Sequence, residues 1–363
     1  MDGYFCVLTA IDLFVLAFMS ILTNLSESLN KKQKNGFFLA FALIALISVL
    51  EVVTLMVDRR PGGYRWLNIT ANYLGFGLSP AVCICLVYVL DKKTVLRRGF
   101  KAALWCQVAY MILLALSIQK GLVFSVSRDN VYSRGPWFFC YVAMYCGAIV
   151  YLSLSTVITA RSFQNRSKGL IYPLMLFLIA ETVIQVALPR YHVTWLCVTL
   201  LSVLYFIYCN EMWNQLDALT GLLNQNSYLN RTREIKHGGM LVVFDVDNFK
   251  HVNDCYGHLK GDECLAEIAA CIKKAYAPWG YCYRTGGDEF CVLLKNGTKA
   301  DLCAQNLEDA LKESQKAIPY LPQVSYGTAA FKGDDVLTVK DTADREMYRR
   351  KKERKTGEKL LSN

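Results

Sequence analysis

The residues best suited to chemistry lie in two short stretches of the second half of the chain. Met240 to Phe244 is an apolar, partly β-branched run that predicts a buried strand, and it delivers Asp245-Val246-Asp247 at its C-terminal end. Two acids two positions apart share a strand face. Their carboxylates and the intervening Val246 carbonyl are hard oxygen donors of the kind magnesium takes. Asn248-Phe249-Lys250 follows as a turn into a helix, and the first backbone amides of a helix suit phosphate. The polar run continues through Asn253-Asp254, Gly257-His258 and Gly261-Asp262. Further on, Cys282-Tyr283-Arg284 and Phe290 to Leu294 flank Thr285-Gly286-Gly287-Asp288-Glu289, which predicts a β-hairpin. Its glycines are expected to supply positive φ and to let a nucleotide approach the backbone. The turn presents Asp288 and Glu289. Asp288 beside Asp245 would form a two-carboxylate cage for divalent ions, the arrangement that neutralises phosphates in nucleotidyl transfer.

The string Gly286-Gly287-Asp288-Glu289-Phe290 spells the GGDEF signature, and Asp245 to Asp262 resembles the first signature stretch of that family along its whole length. Asp217 to Asn224 resembles the family's domain entrance, Ser325-Tyr326-Gly327 a late strand, and Ala343-Asp344 through Met347-Tyr348 to Lys351 the last helix. The likeness covers roughly residues 211 to 355. It implies an α/β (α+β sandwich) domain similar to the palm of nucleotide polymerases and cyclases. It implies a diguanylate cyclase, in which two GTP become cyclic di-GMP and pyrophosphate across an antiparallel homodimer. Magnesium, with manganese as a substitute, would be held by Asp245, the Val246 carbonyl and Asp288. Asn253 and Asp262 would hydrogen-bond the guanine edge. Asn248, Phe249, Lys250, Gly286 and Gly287 would lie along the nucleotide, and Lys351 would meet a phosphate. Lys355 stands where many members carry arginine; lysine keeps the charge and loses the bidentate fork. Glu289 resembles a second catalytic acid beside Asp288 and Lys351.

Two departures from the family pattern matter. The entrance commonly ends Asn-Arg and here reads Asn224-Gln225, so an ion pair of the family is missing. The product-inhibition site, an Arg-x-x-Asp ahead of the hairpin, is replaced by Ala277 and Gly280. No feedback inhibition through that site is expected.

Such carboxylates need a sheet beneath them, and residues 217 to 355 have the strand and helix patterns to build one. The preceding 210 residues have a different character. The chain is 54% hydrophobic with positive mean hydropathy, too apolar for an ordinary soluble pair of domains. A hydrocarbon core of roughly 30 Å takes about 20 apolar residues in a helix. On that ruler about seven spans are expected, near 4–23, 36–57, 68–90, 101–122, 136–158, 170–189 and 193–210. The first lacks a basic leader and carries Asp2 and Asp12, so it reads as an anchor rather than a signal peptide. Asp12, Glu51 and Glu181 fall within spans and are expected to face a bundle interior. Pro80, with Gly75 and Gly77, is expected to kink the third span.

The charge divides unevenly. Residues 1–210 carry 18 Lys+Arg against 8 Asp+Glu, and residues 211–363 carry 22 of each. The whole excess of +10 therefore belongs to the apolar half, where it reads as loops beside anionic lipid rather than a nucleic-acid surface. With the C-terminus inside, the loops expected inside hold 11 Lys+Arg and those outside hold 7, a bias that places the C-terminal domain in the cytoplasm. The setting implied is the cytoplasmic membrane of a bacterium. Eight of fourteen cysteines lie in or beside apolar segments and six in the polar half without CxxC spacing, so reduced thiols are expected and no zinc site. Residues 211–216 are expected to continue the last span as a stiff helical connector, and 356–363 to form a tail.

The charge run from Arg345 to Lys355 also reads, for most of its length, as a solvated helix face. Gly257 and His258 read as loop-shaping residues, and Cys282 and Cys291 as small buried strand residues. The alternative to an active cyclase is a catalytically inactive GGDEF module that binds GTP and signals by contact. A membrane bundle with an incidental soluble domain is the third reading.

Overall fold

The computed structural model describes residues 2–60, 63–90, 95–164, 194–235, 238–332 and 336–361, with scattered positions between 169 and 183. It forms two compact units, Met1–Asn214 and Gln215–Asn363.

The first unit is helical: α1 (Asp2–Leu25), α2 (Lys31–Val57), α3 (Arg65–Val89), α4 (Val95–Ser117), α5 (Phe138–Ser162) and α6 (Thr194–Asn214), with a two-stranded hairpin, β1 (Phe124–Val126) and β2 (Tyr132–Arg134), between α4 and α5. Among the described residues six helices are long and apolar enough to cross a membrane: Gly3–Leu25, Lys31–Val57, Arg65–Val89, Arg98–Ser117, Phe138–Arg161 and Thr194–Asn214. The expected span at 170–189, with Glu181, lies largely outside the described residues. The fourth helix ends at Ser117, short of the expected 122, because Lys120 falls in the turn that follows.

Local chemistry explains the helix ends and the proline. Asn30 and Gln33 start α2 with a reciprocal capping box, each side chain bonding the other's backbone N–H. Pro80 sits inside α3 without ending it. A proline leaves the carbonyl four residues back without its helical donor. Here that carbonyl, Phe76 O, accepts from Tyr110 Oη at 3.3 Å, and the neighbouring Gly77 O accepts from Gln107 Nε2 at 2.6 Å, both from α4. Of the expected interior acids, Asp12 is buried, with the Ser48 hydroxyl donating to it at 3.5 Å. At the far end, Ser26 and Ser28 from the α1–α2 turn both donate to Asn210 Oδ1 on α6, at 2.8 and 2.5 Å.

The second unit runs α7 (Gln225–Thr232), β3 (Gly239–Val246), α8 (Phe249–Tyr256), α9 (His258–Tyr276), β4 (Gly280–Arg284), β5 (Glu289–Leu294), α10 (Ala300–Ala317), β6 (Val324–Phe331) and α11 (Val336–Leu361). Its four strands lie in the order β4-β5-β3-β6, each pair antiparallel. Alternation along β3 sends its side chains to opposite faces. Val242, Phe244 and Val246 pack with Ile268, Ile272, Leu307 and Leu311 of α9 and α10, while Leu241 and Val243 pack with Tyr228, Ala343 and Met347 of α7 and α11. The result is an α/β sandwich with helices on both sheet faces. Gly327 lets α11 settle directly on β6, since a Cβ there would stand 2.1 Å from Ala343 O and 2.4 Å from Met347 N. All fourteen cysteines are free, and Cys264, Cys271, Cys282, Cys291 and Cys303 are buried. Burial pushes the Cys282 thiol up to about 12 and that of Cys291 up to about 11.

Candidate active site

The central strand β3 runs through Asp245 and Val246, and Asp247 follows immediately. Asp245 lies on the α11 side, opposite Glu289 of β5 and Ser325 of β6 in the sheet register. Because α11 is seated on β6 at Gly327, its next turn carries Lys351 over the end of β3. The Lys351 ammonium pairs with the Asp245 carboxylate and lies 3.1 Å from Asp247 Oδ1. Asp247 is buried and accepts from the Ser325 hydroxyl through both oxygens, at 2.9 and 2.8 Å. Partial burial alone would lower the lysine's pKa, but the hydrogen bonds and charges of Asp245 and Asp247 outweigh it and hold Lys351 above the ordinary lysine value.

The hairpin comes to the same strand end. The Val246 N–H donates to the Asp288 carbonyl at 3.2 Å, so the backbone of the β4–β5 turn abuts the last residue of β3. Thr285 and Gly286 both donate to the Glu289 carbonyl and close the turn. Neither Gly286 nor Gly287 has a positive φ; the positive-φ glycines among the described residues are Gly121, Gly221 and Gly257. The expectation that the turn needs left-handed glycine is therefore corrected. Gly287 leaves room, since a Cβ there would meet nothing within 4 Å, whereas a Cβ at Gly286 would stand 3.3 Å from the Glu289 side chain. The left-handed residue at this strand end is Asn248, at φ 54°, whose turn starts α8 at Phe249. Gly287 O also accepts from the Arg284 guanidinium at 2.7 and 3.2 Å, which in turn pairs with Asp217 at 3.1 Å. Burial pushes the Asp217 carboxyl up, but hydrogen bonds from Thr220 and Arg284 hold it below the ordinary value. The domain entrance is thus tied to the hairpin. Asn224, beside the departing Gln225, caps α7 by accepting from Ser227 N at 2.9 Å.

The remaining expected residues fall into two groups. Lys250 and Asp262 are exposed on α8 and α9, and Phe249 is half-buried against the core. Asn253 Oδ1 is buried with no partner among the described residues, and it lies under Gly261, where a Cβ would stand 1.9 Å away. Asn253 and the segment carrying Asp262 are thus brought together. Glu289 points outward, with Lys340 Nζ 4.0 Å from its carboxylate. The side chain of Lys355 lies outside the described residues. Among the described residues no three His, Cys, Asp or Glu side chains gather into a metal cage. Sequence reasoning passed over Ser325 and Lys340 as functional groups; the signal was present for Lys340, since positions 340, 344, 347 and 351 recur at helical spacing on one face.

The segment containing this site, residues 214–357, matches the family model for the diguanylate cyclase GGDEF domain. Residues 214–357 are a GGDEF domain. Curated relatives align over the same domain: diguanylate cyclase DgcM of Escherichia coli (strain K12) is 34% identical over 147 residues, 37% of this chain and 35% of its own. Diguanylate cyclase DgcP of Pseudomonas aeruginosa is 35% identical over 151 residues, 38% of this chain and 22% of its own. This chain therefore spans about a third or less of the length of those relatives. A solved structure of the GGDEF domain of DgcB from Caulobacter crescentus, in complex with c-di-GMP, is 26% identical, covers 38% of this chain and 90% of that chain, and gives a TM-score of 0.33. GGDEF cyclases as a family work with divalent metal ions.

Proposed function

We propose that this chain is a membrane-anchored diguanylate cyclase that joins two GTP into cyclic di-GMP with release of two pyrophosphates. The observation that carries the reading is the convergence at the end of β3, where Asp245, Asp247 and Lys351 meet and the Asp288 backbone joins Val246. Among the described residues Asp245 and Asp247 gather around the Lys351 cation with no third acid beside them, an incomplete donor set. Magnesium favours such sites, because it keeps water and takes phosphate oxygens as ligands. Asp245, the Val246 carbonyl and Asp288 would hold the ion, which would supply neutralisation of the phosphates.

The chain's own groups do the rest. Lys351, shared between two carboxylates, is placed to share its charge with a phosphate and offset the negative charge that grows at phosphorus. The amides of Phe249 and Lys250 at the start of α8, entered through the left-handed Asn248, offer donors to phosphate. Asn253, with a buried unpaired Oδ1, and Asp262 offer polar groups to the guanine edge, and an unmet buried oxygen is costly until a donor arrives. Gly287, beside Gly286, leaves space for the nucleotide, and Lys355 adds a further cation on α11. Glu289 serves as a second acid at the turn.

In this mechanism one domain binds one GTP, and the 3′-hydroxyl of each nucleotide attacks the α-phosphate of the other. A homodimer is required. The apolar helices anchor it in a bacterial cytoplasmic membrane in contact with lipid and regulate how the two domains meet. No nucleic acid is involved. The test is incubation of the full chain with labelled GTP and magnesium: cyclic di-GMP forms, and Asp288→Ala and Glu289→Ala abolish it. GTP binding without turnover would instead establish an inactive nucleotide-binding module.

A further inference from the structure

The helical unit contains a cavity of about 410 Å³ walled by α2, α3, α5, the β1–β2 hairpin and the start of α6, within the roughly 300–1,000 Å³ usual for small-molecule sites. One wall is a run of touching rings. Tyr132 stacks on Phe76 at 6.2 Å, Phe138 and Tyr141 meet Phe76 at 5.8 and 4.9 Å, and Tyr145 stacks on Tyr141 at 6.0 Å. Trp195 of α6 also lines the space. Such a surface favours a flat, apolar body.

The charges of the lining cancel. Among its described residues two arginines, Arg59 and Arg134, match two acids, Glu51 and Asp58, and each is engaged within the protein. Arg59 lies 3.7 Å from Asp58, which also accepts from the Tyr132 N–H at 2.8 Å. The Arg134 guanidinium lies 4.6 Å from the centre of the Phe138 ring, and Glu51 has an interaction of its own. An ionised ligand of either sign would therefore enter without a counter-charge. Burying such an ion costs several kcal/mol, more than the roughly 1 kcal/mol that one hydrogen bond returns.

The uncharged polar groups of the lining add a direction. Asn72 is buried, and its Nδ2 donates to Asn68 O and Oδ1 at 2.9 and 2.7 Å. The Thr54 hydroxyl donates to Glu51 O at 2.7 Å, and the Ser79 hydroxyl donates to Gly75 O. All three residues line the cavity, and with their protons spent inside the protein they have oxygen lone pairs to offer a ligand. Such a lining takes a neutral N–H or O–H donor.

We propose that this cavity binds a small uncharged aromatic molecule carrying an N–H or O–H donor, of the indole or phenol class. The rings enclose its flat body, and the lone pairs of Asn72, Thr54 and Ser79 receive its proton. This stands independently of the chemistry read in the C-terminal unit.

Equilibrium dialysis of radiolabelled indole against the full chain in detergent micelles, with protein-free micelles as blank, tests it. Saturable one-to-one binding above the blank is expected, with benzoate and benzylammonium failing to compete. 1-Methylindole, which keeps the rings and lacks the donor, should compete at least tenfold more weakly than unlabelled indole. Phe138→Leu and Trp195→Leu should each weaken binding at least tenfold, about 1.4 kcal/mol. Tyr145→Leu, a further ring of the lining, supplies the same test should either variant fail to fold. No saturable binding, competition by either ion or by 1-methylindole equal to that of indole, or full affinity in the folded variants would overturn the assignment.

Discussion

Lys351 of α11 bridges two carboxylates that the sheet delivers side by side, pairing with Asp245 and lying 3.1 Å from Asp247. Among the described residues this ammonium is the cation that the two carboxylates share. Lys351→Ala leaves two adjacent carboxylates uncompensated, which is expected to cost about 1–3 kcal/mol of domain stability. It should also cut kcat about a hundredfold by removing charge stabilisation at phosphorus. Thermal unfolding and steady-state rates on one preparation check both effects. Undiminished kcat would confine Lys351 to a structural role.

Gly261 is held to a bare Cα by Asn253 Oδ1 at 1.9 Å from where a Cβ would stand. Gly261→Ala is therefore expected to push Asn253 aside, raising KM for GTP roughly tenfold or more, in line with about 1–3 kcal/mol for a displaced polar contact. The effect on kcat should be smaller. A KM equal to that of the unsubstituted protein would separate Asn253 from nucleotide recognition.

The sheet core and the cluster of acids were legible in the sequence because each is local. The Met240 to Phe244 run and the acids after it belong to one strand, and the hairpin belongs to one stretch of a dozen residues. The pairing of Lys351 with Asp245 and Asp247 joins residues more than a hundred positions apart, and only the seating of α11 on Gly327 reveals it. The role of Gly286 and Gly287 was misread for a physical reason: Gly-Gly in a hairpin signals positive φ in short turns, whereas neither glycine has a positive φ here, and only Gly287 stands beside open space. Arg284 gave no signal as a tether, since a strand-end arginine is usually solvated, yet it joins Asp217 to Gly287 O. In the helical half, hydropathy anticipated six long apolar helices among the described residues to within about five residues at each end. It could not foresee that Tyr110 and Gln107 would supply donors to the carbonyls around Pro80.

Gly280 occupies the position where the family's inhibitory site has its acid. A Cβ there would stand 2.5 Å from Leu293 O, so the chain cannot carry that side chain without moving β5. Added cyclic di-GMP at micromolar concentrations is expected to leave the rate unchanged. The double variant Ala277→Arg with Gly280→Asp should lose about 1–3 kcal/mol through overpacking rather than gain feedback. Inhibition curves and unfolding of both proteins provide the check.

Asp217 and Glu346 are carboxylates held below their ordinary values, Asp217 by Thr220 and Arg284 against the effect of burial, Glu346 by Thr328 and Arg350 against the same effect. A depressed carboxylate contributes its stability above its unfolded pKa and loses it as pH falls through the folded one. Acid should therefore erode the stability of the GGDEF domain progressively from about pH 5 to pH 2. In Asp217→Asn and Glu346→Gln the loss over that window should be smaller. Chemical unfolding across the window, with parallel slopes in all three proteins, would refute the assignment.

The most direct test of the central claim, that Asp245 and Asp288 hold one divalent ion beside GTP, is binding of Mn²⁺ followed by electron paramagnetic resonance in the presence of a non-hydrolysable GTP analogue. The account predicts saturable binding by the full chain, weakened at least tenfold by Asp245→Asn and by Asp288→Asn, about 1.4 kcal/mol each, and unaltered by Asp254→Asn. Equal Mn²⁺ affinity in all four proteins would contradict it.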